Sequence, residues 1–172
     1  FCDQGDGIQV VTIWEDSSDF LSFPEIDTVA VFSQDERLTL RQGGIPSKGM
    51  TTLGDFNTVA VGLLDFGVGI ADISKETEEE DGIWLSDVNT PGEANGLAYQ
   101  DGIIYVADGF AGLSVVDATS LTDPQFVTNW QYENLDHAIK TFVNGDYLIL
   151  MDEFDGFFFF DITDRDDPRF LD

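Results

Sequence analysis

The residues of this sequence that could do acid–base or metal chemistry are few in kind. His137 is the single histidine, and imidazole is the side chain whose unperturbed pKa suits proton transfer near neutrality. One histidine excludes a His-rich zinc site, which leaves His137 either a ligand among carboxylates or a structural residue. A serine or cysteine nucleophile would need His137 as its base, and no serine lies in a nucleophile elbow. The oxygen-rich stretch is DITDRDDP (161–168), which sets Asp161, Asp164, Asp166 and Asp167 within one turn. Asp152 and Asp155 lie just upstream, in DEFDG. Carboxylates so clustered are calcium ligands in kind, and calcium is the cofactor these residues leave open. Neither cluster fits the EF-hand loop, with its alternating oxygens, central glycine and terminal glutamate. No group of residues names a reaction.

Composition narrows the partners. The chain has 172 residues, 34 acidic against seven basic, for a formal net charge of −27. Nucleic acid is excluded, because binding it depends on Lys and Arg neutralising phosphates, and so is an anionic membrane surface. The plain reading of the charge is a solvated, self-repelling surface suited to salt, with divalent-cation binding as the alternative. Of the acidic residues 24 are aspartates, which suit turns as well as metals. Apolar residues make up 42%, so a packed core is expected rather than disorder.

Cys2 is the single cysteine, so no disulfide forms within the chain. It stands where a lipid-anchored protein carries its acylated cysteine, although Phe1 precedes it and no lipobox is visible. The start, FCDQGDG, lacks the basic and apolar segments of a signal peptide, as a trimmed secreted protein also would. No apolar run approaches the roughly 20 residues that span a bilayer, so no transmembrane segment is expected.

The elements that must position these residues are written as a repeat. GIIYVADGFAGLSVVDATSLTDPQFV (102–127) aligns with GDYLILMDEFDGFFFFDITDRDDPRFL (145–171). Asp108 falls on Asp152, Gly112 on Gly156, Asp117 on Asp161 and Pro124 on Pro168, each pair 44 residues apart. TVAVGLLDFGVGIADIS (58–74) carries the phrase with Asp72 in the place of Asp117, and TVAVFSQDERLTLRQ (28–42) is a more degenerate copy. The runs are rich in Val, Ile, Phe and Tyr and bounded by Gly, Asp and Pro, so they read as strands and turns. The last unit divides into strands at about 137–144, 146–151, 156–162 and 168–171. The unit before divides at about 94–99, 102–107, 112–118 and 125–131. Asp101-Gly102, Gly145-Asp146 and Asp155-Gly156 are hairpin dipeptides.

A four-stranded antiparallel unit of about 44 residues, repeated, is the pattern of a β-propeller blade. The chain therefore reads as one all-β domain over 1–172 with about four units: a degenerate one over 1–49, then 50–91, 92–135 and 136–172. The first unit offers one strand at 8–14 and three between about 20 and 42, and GGIPSKG (43–49) reads as a loop. The units are either a compact ring or part of a larger one. Phe157, Phe158, Phe159 and Phe160 are then expected to be buried on both faces of their strand, since neighbouring blades cover an inner strand twice. LSVV (113–116) is expected to behave likewise. His137, near the start of an inner strand, would face the channel. Asp117 and Asp161 recur with the repeat, which suits them to capping turns. The run Glu78-Glu79-Glu80-Asp81 reads as a solvated loop.

The phrase GIIYVADGFAGLSVVDATSLTDP resembles the LVIVD repeat of bacterial and archaeal surface proteins. Tyr105-Val106-Ala107-Asp108, Gly112-Leu113 and Val115-Val116-Asp117 carry the likeness, and the last unit keeps Asp152, Gly156, Asp161 and Pro168. The likeness is specific over about 94–172 and faint before. It implies a propeller-like fold and a secreted or cell-surface setting, and it brings no catalytic motif. The expected function is a non-enzymatic extracellular or surface module that binds a protein or glycan, or serves as a scaffold, with assembly with other chains left open. The alternative is a calcium-dependent hydrolase or lyase with its site at the channel.

Overall fold

The computed structural model describes residues 2–3, 7–14, 25–32, 48–54, 57–72, 83–132 and 135–171. An N-terminal three-stranded sheet holds β1 (Cys2–Asp3), β2 (Gly7–Trp14) and β3 (Glu25–Phe32) in that order. Three four-stranded antiparallel sheets follow, and each is a meander. The first is β4 (Met50–Thr52), β5 (Thr58–Gly62), β6 (Val68–Asp72) and β7 (Ile83–Val88). The second is β8 (Gly96–Gln100), β9 (Ile103–Ala107), β10 (Leu113–Asp117) and β11 (Gln125–Trp130). The third is β12 (Ala138–Asn144), β13 (Tyr147–Asp152), β14 (Gly156–Asp161) and β15 (Arg169–Leu171). Among the described residues there is no helix, and the sheets do not close into a ring.

The punctuation in the sequence places the strands of the second and third of these sheets to within about two residues. The β8–β9 turn shows why: Asp101 and Gly102 take φ of 51° and 91°, the pair of positive angles that matches hairpin twist. Pro124 and Pro168 stand immediately before β11 and β15, edge strands that do not need the missing amide. In the first unit β2 and β3 occupy two of the expected strand positions. Residues 15–24 and 33–47, with the other expected strands of this unit and most of the GGIPSKG loop, lie outside the described residues, as does Glu78–Asp81.

Successive sheets adjoin through their first strands, β4 beside β8 and β8 beside β12. Single backbone bridges fasten each sheet to the next, Leu64 to Ala94 and Gly109 to Ala138. Two apolar layers result. One lies between the first and second sheets and includes Ala60, Val68, Ile70, Ile104, Val106 and Val116. The other lies between the second and third and includes Tyr105, Leu113, Val115, Leu148, Leu150 and Phe160. The second sheet is covered on both faces, so β9 is buried at every position and β10 up to Asp117. That is why IIYVA and LSVV show no polar alternation.

The phenylalanine run behaves differently. Phe158 and Phe160 are buried against the second sheet, with Trp130 set edge-on to Phe160 at 4.6 Å between centroids. Phe157 and Phe159 are exposed, at 60% and 50%. The expectation that both faces of this strand are buried is therefore wrong for one of them. The physical reason is position: the third sheet has a neighbour among the described sheets on one side, whereas the second sheet has one on each.

Candidate functional site

The repeated aspartates hold the chain as it enters each sheet. Asp108 is fully buried just after β9 and accepts hydrogen bonds from Thr90 Oγ1 and Ser114 Oγ, both at 2.7 Å, and from the Gly92 amide at 3.1 Å. Glycine is required at 92, because a Cβ there would lie 2.0 Å from the Asp108 carbonyl oxygen. Asp152 accepts from the amides of His137 at 2.7 Å, Phe154 at 2.8 Å and Asp155 at 3.0 Å. Burial pushes the Asp152 carboxyl up, but these three amides and the nearby His137 outweigh it and hold its pKa below the ordinary value.

Asp117 and Asp161 close matching turns. Each accepts from the hydroxyl of the threonine two residues on at 2.6 Å and from its amide at 2.8 Å, Thr119 in one case and Thr163 in the other. The threonine hydroxyl, then its amide, lowers both carboxyl pKa values. Asp161 shares a recess of about 150 Å³ with Asp164, Asp167, Thr163 and Arg169. Asp166 is exposed in the same turn. Among the described residues no three His, Cys, Asp or Glu side chains converge in a way that could hold a metal ion. Cys2 belongs to β1, and its side chain lies outside the described residues.

His137 sits one residue before β12, at the joint between the second and third sheets. Its Nδ1 is 3.0 Å from Glu153 in the β13–β14 turn, and its Nε2 is 3.6 Å from Glu93 in the segment entering β8. Phe110, from the β9–β10 turn, tilts against the imidazole at 4.9 Å between centroids. The side chain of His137 is 15% exposed. Two carboxylates and a ring thus clasp the histidine between turns of consecutive sheets.

Phe110 and Glu93 also border an open cleft of about 610 Å³ between the first and second sheets. Its wall includes Asp65, Asn89, Asn129 and Gln131. The Nδ2 of Asn129 donates to Ala111 O at 3.1 Å and the Nε2 of Gln131 to Phe110 O at 2.8 Å, which fixes both amides around the Phe110 turn. Phe110 is 64% exposed. The cleft therefore offers amide oxygens, carboxylates and one apolar ring to a ligand.

Sequence reasoning did not single out these cleft residues, nor two further connectors. Asn95 is buried, accepts from Lys48 Nζ at 2.9 Å and donates to Ala138 O at 3.0 Å, linking the inner ends of three sheets. Its repeat position, 44 residues on, is Ile139, so no recurrence marks it. Arg165 joins Asp101 at 3.1 Å to Asp146 at 3.3 Å and so ties turns of the second and third sheets. No protein-family model matches the chain, and no curated protein matches it.

Proposed function

We propose that the three four-stranded sheets are consecutive blades of a β-propeller of the LVIVD-repeat kind. In this reading the protein is a non-enzymatic module, extracellular or at the cell surface, that binds a protein or a glycan. The blade reading draws support from the shared meander, the adjoining first strands and the recurrent bridges at Leu64 and Gly109. One observation carries the functional reading. The acids that recur with the repeat, Asp108, Asp117, Asp152 and Asp161, are spent on turns and entering chain. His137 is likewise engaged at a joint, which leaves an enzyme little to work with. The open cleft beside Phe110 is where a ligand is expected, since polar groups next to an apolar ring fix orientation.

The experiment pairs binding with turnover. The chain and its Phe110→Ala and His137→Ala variants are screened against a glycan array and purified surface proteins. The same proteins are assayed, with and without calcium, on a panel of glycosides and lactones. A saturable ligand that Phe110→Ala weakens by about tenfold or more supports the binding module. Turnover that His137→Ala abolishes would overturn it in favour of the calcium-dependent hydrolase or lyase.

A further inference from the structure

The bases of this chain are as unevenly placed as they are few. Two of the seven, Lys48 and Lys140, line one recess of about 360 Å³ where the first strands of the three four-stranded sheets adjoin. Lys48 stands just before β4 and Lys140 lies in β12, and residues 95–97 at the start of β8 form the wall between them. Among the described residues no carboxylate lines the recess, in a chain with 34 acids. It shares no lining residue with the cleft at Phe110.

Glycine lets the strands close around it. A Cβ at Gly49 would lie 2.6 Å from the Asn95 carbonyl oxygen, and one at Gly96 would lie 2.7 Å from that of Ile139. Asn95 then fixes one of the lysines. Its buried side chain donates to Ala138 O and accepts from Lys48 Nζ at 2.9 Å. That bond uses one of the three N–H donors of the Lys48 ammonium. Lys140 Nζ sits 5.4 Å from the centre of the Phe142 ring, a contact that brings it no carboxylate. The ion pairs among the described residues belong to His137 and Arg165, and neither lysine has one.

We propose that the recess binds a tetrahedral oxyanion, phosphate or sulfate, as the free ion or as an ester on a glycan. Charge selects the sign: two ammonium groups on a recess without lining carboxylates attract an anion and repel calcium. At physiological ionic strength the field of a charge fades over about 8 Å, so acids elsewhere on the surface weigh less than the two lysines at the wall. Placement selects the shape. The donors stand on strands flanking β8, so the ligand must accept from two sides. A tetrahedral anion presents oxygens in every direction, whereas the two oxygens of a carboxylate share one edge. The site is separate from the cleft at Phe110 and does not rest on what binds there.

The test is isothermal titration of the whole chain with sodium sulfate and with inorganic phosphate, in chloride at a constant ionic strength of about 0.15 M. A sulfated oligosaccharide, beside its desulfated form, is the third titrant. One saturable site per chain is expected. Lys48→Gln and Lys140→Gln should each weaken it tenfold or more, and Lys140→Arg, which keeps the charge, should retain most of the affinity. Ser120→Glu is the control: it makes the same change in net charge in the exposed β10–β11 turn, at the far end of the second sheet. It should leave the affinity within about twofold. Both lysines are exposed, so the urea midpoints of the glutamine variants should stay close to the parent's. Tighter binding of the oligosaccharide than of sulfate, lost on desulfation, assigns the site to a glycan ester, and equal or weaker binding assigns it to the free ion. No saturable binding of any titrant overturns the proposal. So does a site that both glutamine variants leave intact, or one that Ser120→Glu weakens as much as they do. These outcomes leave the Phe110→Ala readout at the cleft untouched, so the two readings fail separately.

Discussion

Asp108 Oδ2 lies 3.1 Å from the Gly92 amide, and 44 residues on Asp152 Oδ2 lies 2.7 Å from the His137 amide. Asp108 directly follows the second strand of its sheet and Asp152 ends the second strand of its own, and each holds the segment that leads into the first. The two differ in what else they hold. Asp108 also takes two buried hydroxyl donors, Thr90 and Ser114, whereas Asp152 takes amides of the exposed turn at Phe154 and Asp155.

That difference predicts unequal costs. Asp108→Ala strands buried donors that water cannot reach and should lower stability by about 3–4 kcal/mol. Asp152→Ala leaves turn amides that water can reach, and about 1–2 kcal/mol is expected. Urea midpoints of both variants measure this. Equal losses would mean that the hydroxyls of Thr90 and Ser114 find other partners.

The acid limb of stability should belong to the turn aspartates. Asp117, Asp152 and Asp161 have folded pKa values below their unfolded value, so each adds stability that is complete above the ordinary carboxylate range. That contribution is lost as pH falls through the lowered folded value. The urea midpoint should therefore decline from about pH 5 downward. Asp117→Asn combined with Asp161→Asn should flatten the slope, and an unchanged slope would assign acid sensitivity to other groups.

How much of this was legible in the sequence follows from what repeats. Aspartate, glycine and proline at fixed spacing mark backbone turns, so the eight strands from Gly96 to Leu171 could be read from punctuation. The burial of LSVV was legible too, because an unbroken apolar run needs cover on both sides. Phe157 to Phe160 carry the same signal, yet the described chain covers one side alone. Apolar character records that a face is to be covered, and it does not say by which molecule. The cleft was illegible for another reason. Asp65, Glu93, Phe110 and Asn129 come from turns and edges of two sheets, and packing rather than spacing brings them together.

Salt should stabilise the fold. At a net charge of −27 the carboxylates repel one another over distances that shorten as ionic strength rises. The melting midpoint is expected to climb from low to high NaCl, and a flat or falling midpoint would remove repulsion as a factor. Calcium and magnesium chloride at equal ionic strength separate screening from site binding. A rise confined to calcium at low concentration would require a carboxylate site, with the Asp161–Asp167 turn the first place to substitute.

Tyr105 should set the alkaline limit. Its ring is fully buried between the second and third sheets, and its hydroxyl donates to Arg165 O at 3.0 Å. Burial pushes the phenol up to about 12, with Arg165 pulling down and Asp166, Asp101 and Asp164 pushing further up. A phenol unfolded at its usual value near 10 and folded at about 12 adds stability that is complete below the first value. That stability is lost as pH rises through the second, since the unfolded chain then gives up its proton first. Phenolate absorbance of the native protein should therefore show the Tyr105 phenol ionising late, together with unfolding. Tyr105→Phe should remove the late step. It should also cost about 1 kcal/mol at neutral pH for the lost hydrogen bond. Ionisation of Tyr105 near pH 10 with the fold intact, read as the difference between the parent and Tyr105→Phe, would show that solvent reaches the Tyr105 hydroxyl.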